Sequence, residues 1–242
     1  MPPKKKEVKE EKVILGRASN TLKMGLVGLP NVGKSTTFNF LSNLAVPAEN
    51  YPFCTIDPNL AKIHIPDARF DKLCGMYKPK SKVAATLSIT DIAGLVKGAS
   101  EGKGLGNAFL SHIQAVDGIY HVVRAFESED IIHDEGDVNP IRDLGIISAE
   151  LVAKDLQALA TKKDEVEKVI RRTNAKPARD EMEVILKVEE YLNAGTFVKD
   201  GSWKASEIDI LNQHSYLTAK PIVYLVNISF EEFKVKKNKW LP

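Results

Sequence analysis

Several kinds of chemistry are excluded by what this sequence lacks. It has only two cysteines, Cys54 and Cys74, and their spacing fits no metal-ligand pair. A disulfide scaffold or a zinc centre is therefore not expected, and free thiols in a reducing compartment are. No apolar run approaches the roughly 20 residues that a membrane-spanning helix needs. The N-terminus, M-P-P-K-K-K-E-V-K-E-E-K, has no apolar centre of the kind a secretory signal carries. Its mixed lysines and glutamates suggest a disordered, charged tail over residues 1–20. These features point to the cytoplasm and away from a membrane partner. Excess charge is lacking too. A net charge of +2 creates no general field for a polyanion, so DNA is not an expected partner and any nucleic-acid contact would need a local patch.

What is present centres on residues 22–36, L-K-M-G-L-V-G-L-P-N-V-G-K-S-T. Leu22 to Val27 has the apolar character of a buried strand. Gly28, four further residues and Gly33-Lys34-Ser35 complete the phosphate-binding loop pattern. Such a loop points its backbone N–H groups inward around a phosphate chain, and glycines allow both the dihedrals and the close approach. A helix is expected from Thr36, so its positive end also faces the phosphates. Lys34 would reach the β- and γ-phosphates, and the Ser35 hydroxyl would ligate Mg²⁺. The implied fold is α/β: a P-loop NTPase of the Ras-like G-domain type, with a mostly parallel sheet.

Residues 43–59 contain three prolines and no sustained period, as expected of a loop. In this class the loop is the first switch, which gives a hydroxyl to Mg²⁺ when the γ-phosphate is present. Thr55 is the candidate, with a plain turn threonine as the alternative. Strand candidates follow at Leu60 to Ile65 and Leu87 to Thr90. The second runs into Asp91-Ile92-Ala93-Gly94, a D-x-x-G in which Asp91 would hold the metal through water and Gly94 would sense the γ-phosphate. Leu95 stands where Ras-type proteins place a glutamine for the attacking water. Glycines at 98, 102, 104 and 106 suggest a second switch. A helix is expected over 108–116 and carries His112, either a structural residue or a third catalytic group beside Lys34 and Gly94.

Asp117 to Ala125 is the next buried-strand candidate. From Pro140 the periodicity turns helical, breaks at T-N-A-K-P-A-R (173–179), and resumes with Met182, Ile185, Val188 and Leu192. This predicts a helical-hairpin insertion over 147–213 in a nucleotide-binding domain made of 21–146 and 214–242. The hairpin either packs on the main domain or projects toward a partner. Pro221 to Val226 restores the sheet and ends in Asn227-Ile228-Ser229-Phe230. Guanine-binding proteins of this class have N-K-x-D there, so the lysine and the aspartate are both absent.

G-L-P-N-V-G-K-S-T, N-Y-P-F-C-T-I-D-P-N and D-I-A-G-L-V-K-G-A-S-E-G-K-G-L-G-N together resemble the Obg-like ATPase family, from about Asn20 onward. The resemblance implies slow Mg²⁺-dependent hydrolysis of ATP, with GTP weaker, in a cytoplasmic nucleotide switch that binds ribosomes. It places Asn31, Val32, Gly33, Lys34, Ser35 and Thr36 on the phosphates, Ser35 and Thr55 on Mg²⁺, and Asn227 and Ile228 at the base. Asn31 would also help bind K⁺ beside the phosphates. Phe230 stands where the family has glutamate, and family members continue past the end of this chain, so a shortened form is expected. Two rivals remain: a GTPase, and a module that binds nucleotide without hydrolysing it.

Overall fold

The computed structural model describes residues 15–16, 21–43, 59–92 and 111–241. It contains a five-stranded sheet in the order β2-β3-β1-β4-β5. The strands are β1 (Thr21–Val27), β2 (Leu60–His64), β3 (Thr86–Asp91), β4 (Gly118–Arg124) and β5 (Ile222–Asn227). Only β2 runs antiparallel to its neighbour; the β1–β3, β1–β4 and β4–β5 pairs are parallel. β1 lies at the centre, and its last four residues are all buried, as a strand covered on both faces requires. Parallel strands that enter a site from the same end leave their C-terminal residues together. Here that edge brings Val27, Asp91, Arg124 and Asn227 to one side of the sheet.

Helix α1 (Lys34–Ser42) begins two residues earlier than expected, because Gly33 already serves as its N-cap in the left-handed region at φ 101°. Helix α2 (Ala68–Tyr77) was not anticipated. It buries none of its residues, so it lacks the core-facing stripe from which a helix is usually recognised. Its start is marked by Asp67, which accepts from the Arg69 N–H at 2.9 Å.

Helix α3 runs unbroken for 34 residues, from Pro140 to Thr173. The Asn139 side chain caps it, and it ends where Asn174 turns left-handed and donates its N–H to the Ile170 carbonyl at 2.8 Å. Helix α4 (Lys176–Asn193) starts almost at once, so the break is narrower than residues 173–179. α3 and α4 then form a hairpin, joined across their faces by Lys163–Glu189 at 2.6 Å. The expected insertion boundary at residue 147 falls inside α3. Ile147 and Leu151 belong to the apolar cluster beneath the sheet, while Leu159 and Val166 belong to a second cluster with α4 and α5 (Ala205–His214). One helix therefore spans two cores.

The charged tail expected over residues 1–20 lies mostly outside the described residues, but it is not free throughout. Leu15 packs on the second cluster, and the Gly16 N–H donates to Asn212 at 2.8 Å.

The return from hairpin to sheet is pinned by one buried carboxylate. Asp155 of α3 accepts from the Leu217 and Thr218 N–H groups at 2.9 and 2.8 Å and from the Thr218 hydroxyl at 2.7 Å. These residues form the short 3₁₀ turn that leads into β5, and helix α6 (Phe230–Val235) follows that strand.

His121, in β4, is buried against the Tyr224 ring, and burial pulls its pKa down to about 4. Below the unfolded value near 6.5, the unfolded chain gains a proton that the folded one refuses. Stability is thus fully present above about pH 6.5 and falls by about 1.4 kcal/mol per unit down to about pH 4. Urea unfolding across that range should show a loss from this group of about 3 kcal/mol. A His121→Leu variant should be flatter by that amount, and an identical pH slope in the two proteins would contradict the assignment.

Candidate nucleotide site

The β1–α1 connection is held open by its neighbours. The Lys34 ammonium donates to the Leu29 carbonyl at 2.8 Å. The Thr37 hydroxyl donates to the Gly33 carbonyl at 3.0 Å. From the last strand, the Asn227 side chain donates to the Val32 carbonyl at 3.0 Å. From the loop after β4, the Ile132 carbonyl accepts from the Asn31 side chain at 3.1 Å. Asn31 itself is left-handed at φ 59°, a conformation asparagine tolerates better than most residues. No side chain caps α1, so the N–H groups of its first turn remain available to an anion.

Glycine is required at position 33 for two reasons. Its φ of 101° disfavours any side chain, and a Cβ there would lie 2.4 Å from Asn227 Nδ2. The loop and the end of β5 meet at this point with no room between them.

Lys34 is buried, and that burial lowers its pKa, while the Asp91 charge works the other way. A buried ammonium bonded to one carbonyl is poorly compensated, and a phosphate would compensate it better. The Ser35 hydroxyl donates to Asp91 at 3.0 Å. Hydroxyl and carboxylate oxygens suit Mg²⁺, so these residues fit the ion. Among the described residues no group of three or more His, Cys, Asp or Glu side chains could hold a metal. The ion would therefore need phosphate oxygens and water to complete its shell, as Mg²⁺ in nucleotide sites does.

Together these residues border an open cleft of about 690 Å³. Asn31, Gly33, Lys34, Ser35, Thr36, Asn227 and Ile228, all expected at the site, line it. Val32 does not; its side chain is buried, and it contributes through the carbonyl that Asn227 holds. Thr55 and Gly94 lie outside the described residues. His112 is exposed and lines no part of the cleft, so the described structure does not bring it to Lys34.

Phe126, Ile131 and Ser229 also line the cleft but were not among the expected site residues. Arg124 organises the first two. Although 1% exposed, it donates to the carbonyls of Phe126 at 3.0 Å and Ile131 at 2.9 Å, and it lies 4.6 Å from the Phe126 ring centroid. Deeper in the loop, His133 Nδ1 accepts from the Glu135 N–H at 3.2 Å, which leaves Nε2 to donate to the buried Asp143 at 2.9 Å. This fastens the loop to the first turn of α3. The signal in the sequence was a lone arginine at the end of an apolar strand, D-G-I-Y-H-V-V-R-A, a place where a charge needs a structural reason.

Comparison with known proteins gives a consistent result. A family profile described as 50S ribosome-binding GTPase matches residues 23–228. The chain is 55% identical over 245 residues to Obg-like ATPase 1 of Oryza sativa subsp. indica, 54% over 242 residues to that of Caenorhabditis elegans, and 52% over 246 residues to that of Homo sapiens. Each match covers all of this chain but only 61–62% of the relative, so the chain spans less than two thirds of their length. Among solved structures, the Schizosaccharomyces pombe YchF GTPase matches with a TM-score of 0.79 and 50% identity, over 96% of this chain and 63% of that one.

Two variants test the geometry of the loop. Gly33→Ala forces a side chain into the Asn227 amide, and affinity for a fluorescent nucleoside triphosphate should fall at least tenfold, or about 1.4 kcal/mol. Asn227→Ala removes one hydrogen bond, and its loss should be nearer 1 kcal/mol. Undiminished affinity in Gly33→Ala would show that the loop is not held as described.

Proposed function

The chain belongs to the 50S ribosome-binding GTPase family, with the Obg-like ATPase 1 proteins as relatives, and on that premise we propose that it is a Mg²⁺-dependent ATPase acting as a slow switch on a ribosomal particle in the cytoplasm. Family membership supports a nucleotide-hydrolysing P-loop domain. The preference for ATP is our own reading, since the names of the relatives divide between ATPase and GTPase.

One observation carries that preference: among the described residues, no carboxylate is placed for guanine at the end of β5. Phe230, at the position of the guanine-reading aspartate, is 73% exposed as the first residue of α6. The nearest alternatives do not replace it. Glu232 is occupied in the helix cap, accepting from the Ser229 N–H at 3.0 Å and hydroxyl at 2.9 Å and from Asn238 at 2.8 Å. Glu231 is exposed. A site that must pair two guanine donors discriminates strongly, because a wrong base leaves buried polar groups unpaired. Without that acceptor, backbone groups at Asn227 and Ile228 can serve adenine's N6 donor and N1 acceptor.

In the proposed mechanism Lys34 leaves the Leu29 carbonyl for the β- and γ-phosphates, and the N–H groups from Asn31 to Thr36 surround the chain of phosphates. Ser35 and Thr55 would hold Mg²⁺, with Asp91 reaching it through water, and the ion would supply positive charge beside the phosphoryl oxygens. Gly94 is proposed to contact the γ-phosphate. Asn31, with its amide nitrogen committed to Ile132, offers its amide oxygen to K⁺, a cation that could supply the charge an arginine finger gives elsewhere. For His112 to act in catalysis, the bound state would have to bring it to the cleft. His112→Ala should then slow turnover without changing ATP affinity.

Lys34→Ala should reduce triphosphate affinity by a few kcal/mol, the order for losing a charge-assisted contact in a desolvated site. Unchanged ATP binding in that protein would overturn the assignment. Titration of the unmodified chain should favour ATP over GTP by roughly tenfold, and Ile228→Lys with Phe230→Asp should shift the preference toward GTP. Tighter GTP binding by the unmodified chain would favour the GTPase reading. Binding with no phosphate release would favour a non-hydrolysing module. Turnover is expected to be faster in K⁺ than in Na⁺.

A further inference from the structure

The two edges of the sheet are built differently. β2, at one end of the strand order, carries Lys62 and His64, side chains of the kind that discourage further pairing. β5, at the other end, reads I-V-Y-L-V-N, with no charge, no proline and no glycine. Among the described residues no strand lies on its outer side. The Ile119 and Ala125 N–H groups donate to the Pro221 and Asn227 carbonyls, so the odd-numbered residues here turn their backbone groups toward β4. Backbone direction alternates along a strand. Ile222, Tyr224 and Val226 therefore turn their N–H and carbonyl groups to the open edge.

The side chains enlarge this edge into a patch. Seven of the nineteen exposed large hydrophobic residues among the described ones lie between Val223 and Leu241. Val223 is 48% and Tyr224 50% exposed, and Val226 is exposed beside them. Phe230 and Phe233, three apart on α6 and so on one face of it, continue the patch past the end of the strand. Apolar side chains so exposed offer on the order of 700 Å², near the ~800 Å² that each partner covers in a standard interface.

The occupant must bring an apolar edge of its own, and this chain has one. A β5–β2 contact would set Lys62 against an apolar strand and, being head-to-tail, would grow without closing. A β5–β5 contact is the same patch on both sides and closes after two copies. Antiparallel pairing with the two-fold axis at Tyr224 sets Tyr224 of one copy opposite Tyr224 of the other, and Ile222 opposite Val226. Every outward-turned backbone group then meets one from the second copy, and no charge lies on either strand to be buried or repelled.

We propose that the open edge of β5 pairs antiparallel with β5 of a second copy, joining two five-stranded sheets into one. The proposal rests on the sheet edge and not on the nucleotide reading.

The test is sedimentation equilibrium of the full chain. The mass should rise with concentration from 26.7 kDa toward twice that value, with half-association in the micromolar range. Amide hydrogen exchange at Ile222, Tyr224 and Val226 should slow over the same range. Val223→Lys places a cation beside the axis at an exposed position, so it should stay monomeric and keep the melting temperature of the dilute unmodified chain. The register is read by cross-linking. Tyr224→Cys should give a 224–224 disulfide on mild oxidation, mapped by mass spectrometry, because directly opposed hydrogen-bonded residues lie about 5.5 Å apart between Cα atoms. Val223→Cys should not, since its counterpart is displaced by two residues, beyond the roughly 7 Å that a disulfide spans. A mass that stays at one copy throughout would overturn the proposal. So would association that leaves exchange at the edge unchanged, or cross-linking at 223 in place of 224. If Val223→Lys fails to fold, the exchange and cross-linking results decide. Failure of the chain to bind nucleotide would leave all of these outcomes untouched.

Discussion

A phosphate loop has to keep backbone N–H groups unpaired and aimed at empty space, and most of this molecule serves that requirement. Segments with unsatisfied donors tend to collapse onto other partners or onto water. Here the carbonyl side of the loop is held by Asn227 on Val32 and Thr37 on Gly33, while Lys34 rests on Leu29 until a phosphate takes its place. The Asn227 bond joins residues 195 positions apart, so part of the loop's support comes from the far end of the sheet. Ordering the loop in advance lowers the entropy a ligand must overcome on binding.

The wall on the other side of the cleft is built by a comparable device. A buried guanidinium, Arg124, gathers the carbonyls of the loop that follows β4. The buried His133–Asp143 pair then ties that loop to α3. Removing either partner of such a pair leaves a polar group stranded away from water, which is why the loop can be irregular and still have a defined shape.

Because α3 begins at this wall and ends at the hairpin tip, cleft and tip are joined by one rigid element. Asp155, partway along it, accepts three hydrogen bonds from the turn before β5, although its burial pushes its pKa up. The helix is thereby connected to both sides of the nucleotide cleft, through His133 at one point and through the start of β5 at another. Leu156, Leu159 and Val166 continue its apolar stripe beyond the sheet into the second cluster.

Much of the fold could be read from local pattern. G-x-x-x-x-G-K-S after an apolar run located the β1–α1 turn and Lys34, Ser35 and Gly33 within it, because phosphate binding by backbone constrains residues that adjoin in the chain. The apolar runs of β2 to β5 and the periodicity from Pro140 were visible for the same reason: burial repeats at the period of the element itself. α2 was missed because it buries nothing and so leaves no stripe. The roles of Phe126, Ile131, Arg124 and Asp155 were not legible, since each is defined by partners brought to it through the sheet order and the course of α3. The amino-acid sequence by itself determined that a phosphate chain could be held between β1 and α1, because that chemistry lies within one short segment. Tertiary structure alone decided what closes the cleft and where the hairpin lies relative to it, because those relations come from packing between residues far apart in the chain.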